Sequence, residues 1–142
     1  MAFRYKSGPL KLDWWAKKAS TAFAVGDLVY MDGSGEIQLA DSTSGDHIGV
    51  CLKTVASTDS DYASTTRIPV IRVGEDVIFE ADVGTGTMTQ NLEGTYCDLK
   101  DENELDVSAT SKNVIFLKKF LSSTKALCVV SAHATDRRVA TT

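Results

Sequence analysis

The side chains of this chain that could do chemistry are scattered. The two histidines, His47 and His133, lie far apart in sequence, and Cys51, Cys97 and Cys128 lack the CxxC spacing of a zinc site. Cys51 and Cys128 sit inside apolar runs, where a cysteine acts as a small core residue. Carboxylates pair at Asp59/Asp61, Glu75/Asp76 and Glu80/Asp82. General acid–base work needs two carboxyls in different environments facing one cleft, whereas these pairs fall in a polar loop, at a turn and on one strand face. The acidic run Asp98-Leu-Lys-Asp101-Glu102-Asn103-Glu104 lacks the spacing and central glycine of a calcium-binding loop and reads as a solvated hairpin tip. Gly84-Thr-Gly-Thr lacks the Lys-Ser/Thr ending that holds phosphate and magnesium. The serines are not set in a GxSxG elbow. These residues suggest neither a metal site nor a catalytic constellation.

The elements that would have to position any site are short and β-rich. Ile68–Val73 and Val77–Val83 are Val/Ile-rich runs flanking Gly74-Glu75-Asp76, which predicts a β-hairpin. Alternation puts Val77, Phe79, Ala81 and Val83 on one face and Ile78, Glu80 and Asp82 on the other. Pro69 lacks a donor and is expected at a strand start or edge. Earlier, Phe23–Met31 reads as a turn and a strand, Asp32–Gly35 as a turn and Glu36–Ala40 as the returning strand. His47–Val55 is a further strand, with Ile48, Val50, Leu52 and Val55 as core candidates, and Ser57–Thr66 is a polar loop. Thr87 is placed to cap a short helix over Met88–Leu92, stopped by Gly94. Thr95–Leu99 and Leu105–Val107 follow as short strands, then Asn113–Leu121 and Lys125–Ala132 as longer ones. Eight to ten short strands without strand–helix alternation predict an all-β fold, a single compact β-barrel or β-sandwich domain.

The chain has 142 residues, 43% of them apolar and 24% charged, ordinary values for one globular domain. No apolar run approaches the roughly 20 residues that span a bilayer, and MAFRYKSGPLKLDWW lacks the apolar centre of a signal peptide. Three widely spaced cysteines suggest free thiols from a reducing compartment. The net charge of −4 hides an asymmetry: residues 1–20 hold Arg4, Lys6, Lys11, Lys17 and Lys18 against Asp13 alone, so the remainder is strongly acidic. Gly8-Pro9 breaks any early helix, and Leu12–Lys18 has room for one or two helical turns. Phe3, Tyr5, Trp14 and Trp15 stand among the basic residues. Basic residues interleaved with aromatics also suit single-stranded nucleic acid, but the acidic body repels a phosphate backbone. The resulting organisation is a basic, aromatic, extended N-terminal arm (1–20), a β domain (21–132) and a loose C-terminal tail (133–142).

One resemblance rests on the order of motifs. Thr21-Ala-Phe-Ala-Val-Gly-Asp-Leu-Val-Tyr30, then Gly33-Ser-Gly-Glu-Ile37, then Ile48-Gly-Val50, then Ile68–Val83 resembles the small head-decoration (capsid cement) proteins of tailed bacteriophages, from about Thr21 to Ala132. The Trp14-Trp15 segment is not part of that pattern. The resemblance implies a small β body on the outer surface of a virion capsid, made in the host cytoplasm and commonly trimeric. It implies the major capsid protein and further copies of the chain as partners, no cofactor and no enzyme activity. The inferred contacts lie on the arm: Tyr5, Trp14 and Trp15 as apolar anchors, with Arg4, Lys6, Lys17 and Lys18 meeting acidic capsid surface. On this reading, removing residues 1–18 weakens capsid binding and leaves the β body folded; the contrary reading has both tryptophans plugging their own barrel. Two other functions fit a β body: a tail or head-fibre base, and a non-viral module that takes a small ligand or glycan.

Overall fold

In a computed structural model, which describes residues 2–45 and 47–131, the β-branched and aromatic runs form eleven strands. They are β1 (Phe3–Ser7), β2 (Leu12–Ala16), β3 (Leu28–Met31), β4 (Ile37–Leu39), β5 (His47–Cys51) and β6 (Arg67–Arg72). There follow β7 (Ile78–Thr85), β8 (Tyr96–Asp101), β9 (Glu104–Asp106), β10 (Ile115–Ser122) and β11 (Lys125–Val130). Among the described residues no helix is long and apolar enough to cross a membrane. The helix expected over Met88–Leu92 is one 3-10 turn, Gln90–Leu92, and its N-cap is Thr89, whose side chain makes no capping bond. The expected tail, 133–142, lies outside the described residues.

The all-β expectation holds. Strands β7-β11-β10-β8-β9 form a five-stranded barrel that closes through parallel pairing of β9 with β7, and β1 adds to the start of β7 beside β9. The other five strands form a second sheet in the order β2-β6-β5-β3-β4. A parallel bridge between Lys17 and Ile37 draws the end of β2 to β4 and curls this sheet.

Three expectations change here. The predicted hairpin Ile68–Val83 is a crossing between sheets: β6 pairs with β2 and β5, whereas β7 pairs with β1, β9 and β11. Both edges of each strand are already occupied, so neither can pair with the other, and Gly74–Asp76 turns a corner. Its local turn survives, with the Val77 N–H donating to the Gly74 carbonyl at 3.2 Å. Second, Pro69 lies within β6 and not at its start. Its missing donor falls just past the end of β5, where the Leu52 N–H donates to the Pro69 carbonyl at 3.0 Å.

Third, the extended N-terminal arm is replaced by two integrated strands. β1 pairs with β7 in the barrel sheet, and β2 pairs with β6 in the second sheet, where helical turns were expected. The chain passes between the sheets at Gly8, whose φ is +102°, and a Cβ there would lie 2.0 Å from the Asp76 carbonyl oxygen. Only glycine takes both that backbone and that approach.

Two apolar clusters result. The larger fills the barrel with Phe79, Leu99, Leu105, Ile115, Leu117 and Cys128 and takes Leu28, Val50 and Ile71 from the second sheet. The smaller joins Phe23, Val29, Ile37, Cys51, Val55, Ile68 and Val70, with Trp15 and Tyr62 packed on it. β5 supplies Val50 to one cluster and Cys51 to the other, which is why its run is nearly continuous in apolar residues.

Candidate interface on the N-terminal strands

The residues expected to contact a partner divide by strand. On β1, Arg4 stands opposite Glu80 in register. Its guanidinium donates to Glu80 Oε2 at 2.8 Å and to Asp82 Oδ2 at 3.1 Å. Lys6 Nζ lies 3.2 Å from Glu80 Oε1, and Lys125 Nζ lies 3.7 Å from Glu80 Oε2. The acidic face read on β7 is therefore covered by the basic residues of β1. The hydrogen bond from Arg4 holds the Glu80 carboxyl below its ordinary pKa. At Asp82 burial pushes the other way, but hydrogen bonds from Arg4 and from the Ala2 N–H prevail and the pKa is lowered. Tyr5 packs edge-on against Phe79, with ring centroids 6.3 Å apart, and its hydroxyl donates to the Gly8 carbonyl.

Beyond β2, Lys17 is wholly buried, at 0% exposure. Its ammonium donates to the carbonyls of Tyr62 at 3.0 Å and Ser64 at 2.6 Å, tying down the Ser57–Thr66 loop. Lys18 Nζ is 3.8 Å from Asp32 Oδ2. Four of the cations expected to meet an acidic partner, Arg4, Lys6, Lys17 and Lys18, are thus engaged inside the molecule.

The tryptophans split. Alternation along β2 turns Trp15 onto the smaller cluster, with its indole Nε1 buried and unbonded among the described residues. Trp14 turns outward, and Leu12 shares its face. Trp14 is 58% exposed, Leu12 51% and the neighbouring Leu10 58%. β2 ends the strand order of its sheet, so this apolar strip borders an edge. The Trp14 carbonyl is met by the Arg67 guanidinium at 3.2 Å, and Arg72 makes two hydrogen bonds to Asp13, at 2.8 and 3.0 Å. Charges at an edge discourage indiscriminate strand pairing. Leucines at positions 10 and 12 are not distinctive by type, and the sequence signal for this face is the i, i+2 spacing of Leu10, Leu12 and Trp14.

The other chemical candidates are structural. His47 Nε2 lies 2.8 Å from Ser44 Oγ, but both residues are buried and the hydroxyl also bonds Asp41, so the pair pins a loop. All three cysteines are free and buried; burial raises the thiol pKa of Cys51 to about 11 and of Cys97 to about 12, and raises that of Cys128 further. Thiols so shifted are poor nucleophiles at neutral pH. Burial opposes the Asp98 charge, but the N–H groups of Ser111, Lys112 and Asn113 and the Ser111 hydroxyl hold that carboxyl below its ordinary pKa. Among the described residues no cluster of three or more His, Cys, Asp or Glu is arranged to hold a metal.

The motif residues behind the resemblance also serve the fold. Leu28 and Val29 are fully buried, and the Asp27 carboxylate accepts from the Ala24 N–H at 3.0 Å. Gly49 lies so close to β6 that a Cβ would come within 2.6 Å of Val70 Cγ2. Comparison of the sequence with models of known protein families and with curated proteins gives no match.

Proposed function

We propose that this chain is a structural virion protein that binds the outer surface of an assembled phage capsid and stabilises it by bridging neighbouring capsomers. The observation that carries the proposal is the pair of exposed apolar side chains Leu12 and Trp14 on one face of the border strand β2, with exposed Leu10 just before it. Exposed aromatic and aliphatic side chains clustered on a small domain mark an interaction surface. The motif order from Thr21 to Val83 supports a capsid as the partner. In this reading the contact is apolar and localised to β2, not basic and spread over residues 1–20. Trp14 is the anchor, while Arg4, Lys6, Lys17 and Lys18 hold the fold. A trimer, with several such contacts made together, adds avidity to individually weak ones. Binding only the assembled lattice stabilises that state by mass action.

Immunogold labelling of particles pelleted from the source culture tests this. Gold over whole heads is expected, and it should be lost when Trp14→Ser protein is added back to heads lacking the native chain. Gold confined to one vertex or the tail assigns the chain to a fibre or tail base instead. Unlabelled particles, with the protein left in the soluble fraction, overturn the virion reading.

A further inference from the structure

On the outside of the barrel, Tyr96 of β8, Phe116 of β10 and Val129 of β11 form one row, since Phe116 is the register partner of both others. Alternation sends the neighbours Cys97, Ile115, Cys128 and Val130 into the barrel, where all are buried. The row floors a shallow depression of about 290 Å³, rimmed by Glu75, Lys118 and Ser131. Tyr96 is 50% exposed, and its ring meets that of Phe116 edge-on with centroids 5.0 Å apart. The β10–β11 register slips between Leu117 and Lys119, so Lys118 is an extra residue in β10. A bulge re-aims a side chain; here the Lys118 ammonium stands 5.8 Å from the centre of the Phe116 ring.

We infer that this depression binds a single neutral sugar ring, stacked on the exposed ring of Tyr96 beside Phe116 and hydrogen-bonded at its rim. The volume is at the lower end of small-molecule sites, enough for one ring. The floor is aromatic and aliphatic and suits the C–H face of a pyranose. The rim supplies a carboxylate acceptor from Glu75, an ammonium donor from Lys118 and the hydroxyls of Ser131 and Tyr96, which suit ring hydroxyls. The charges argue against other ligands. Lys118 already occupies the Phe116 face that a ligand cation would seek. Glu75 and the acidic chain repel a phosphate or a nucleic-acid backbone. The inference is independent of capsid attachment through β2.

The test is an amide NMR titration of the full chain with methyl glucoside, methyl galactoside, methyl mannoside and N-acetylglucosamine. Inorganic phosphate, tetramethylammonium and adenosine serve as comparison probes. At least one sugar should give saturable shifts at Tyr96, Phe116, Lys118 and Ser131. Tyr96→Ala should weaken binding by about tenfold or more, Lys118→Ala should weaken it several-fold, and Tyr96→Phe and Trp14→Ser should retain most of it. Lys118 is exposed, so that variant keeps the test valid should Tyr96→Ala disturb the barrel. Saturation by none of the sugars, equal affinity in Tyr96→Ala and Lys118→Ala, or saturation by a comparison probe alone would overturn the inference.

Discussion

β1 and β2 come from one short stretch of sequence and meet opposite fates. β1 carries Arg4 opposite Glu80, and its Arg4 and Lys6 are engaged in ion pairs with Glu80 and Asp82 within the barrel sheet. β2 carries Leu12 and Trp14 to the border of the second sheet, where more than half of each stays exposed. The difference shows that a charge imbalance along a sequence is not a charge imbalance on a surface. The basic segment neutralises an acidic strand of its own body, and it leaves Leu10, Leu12 and Trp14 exposed beside Lys6 and Lys11.

Removing both strands should have the largest effect. Deletion of residues 1–18 takes away β1, β2, the buried Phe3 and the buried Lys17, and should abolish cooperative thermal unfolding. A truncated chain with a native-like amide NMR spectrum would restore the separable arm. Next in size is Lys17→Met, which keeps the stem and removes the ammonium from the Tyr62 and Ser64 carbonyls. It should cost about 2–4 kcal/mol in urea unfolding, because buried acceptors lose a charged donor.

A smaller effect separates the ion pairs of the two strands. Glu80→Gln should cost about 1 kcal/mol and Asp13→Asn about 0.5 kcal/mol or less, since Glu80 draws on three cations and Asp13 on exposed Arg72. Both carboxyls have lowered pKa values in the fold, the first through Arg4 and the second through Arg72. Their stabilisation is therefore present above the ordinary carboxylate range and lost as pH falls through the lowered values. The acid limb of the stability curve should flatten more in Glu80→Gln than in Asp13→Asn. The smallest effect on folding belongs to the outward face of β2: Leu12→Ser and Trp14→Ser should stay within about 0.5 kcal/mol of the parent chain. Co-sedimentation with heads should nonetheless fall sharply in the same variants, and unchanged co-sedimentation would remove β2 from the interface.

The strands themselves were legible because their signal is local. Alternation marked Val77, Phe79, Ala81 and Val83 as one buried face, and all four are buried. Apolar runs located β10 and β11, and apolar neighbours marked Cys51 and Cys128 as core residues. The candidate site was legible only in part. Trp14 was marked by its type, but its separation from Trp15 depended on β2 being a strand, which a short segment with helical turns available did not declare.

Amino-acid type and two-residue periodicity by themselves determined that this chain is all-β, where several of its apolar faces lie and that Cys51 and Cys128 are core residues, because those follow from each residue and its nearest neighbours. Only the tertiary structure decided which sheet each strand joined, that Ile68–Val83 crosses between sheets, that Arg4 meets Glu80 far along the chain, and that Lys118 leans over Phe116. Those outcomes depend on which strand edges remain free once the barrel has closed, a competition among distant segments that no local pattern records.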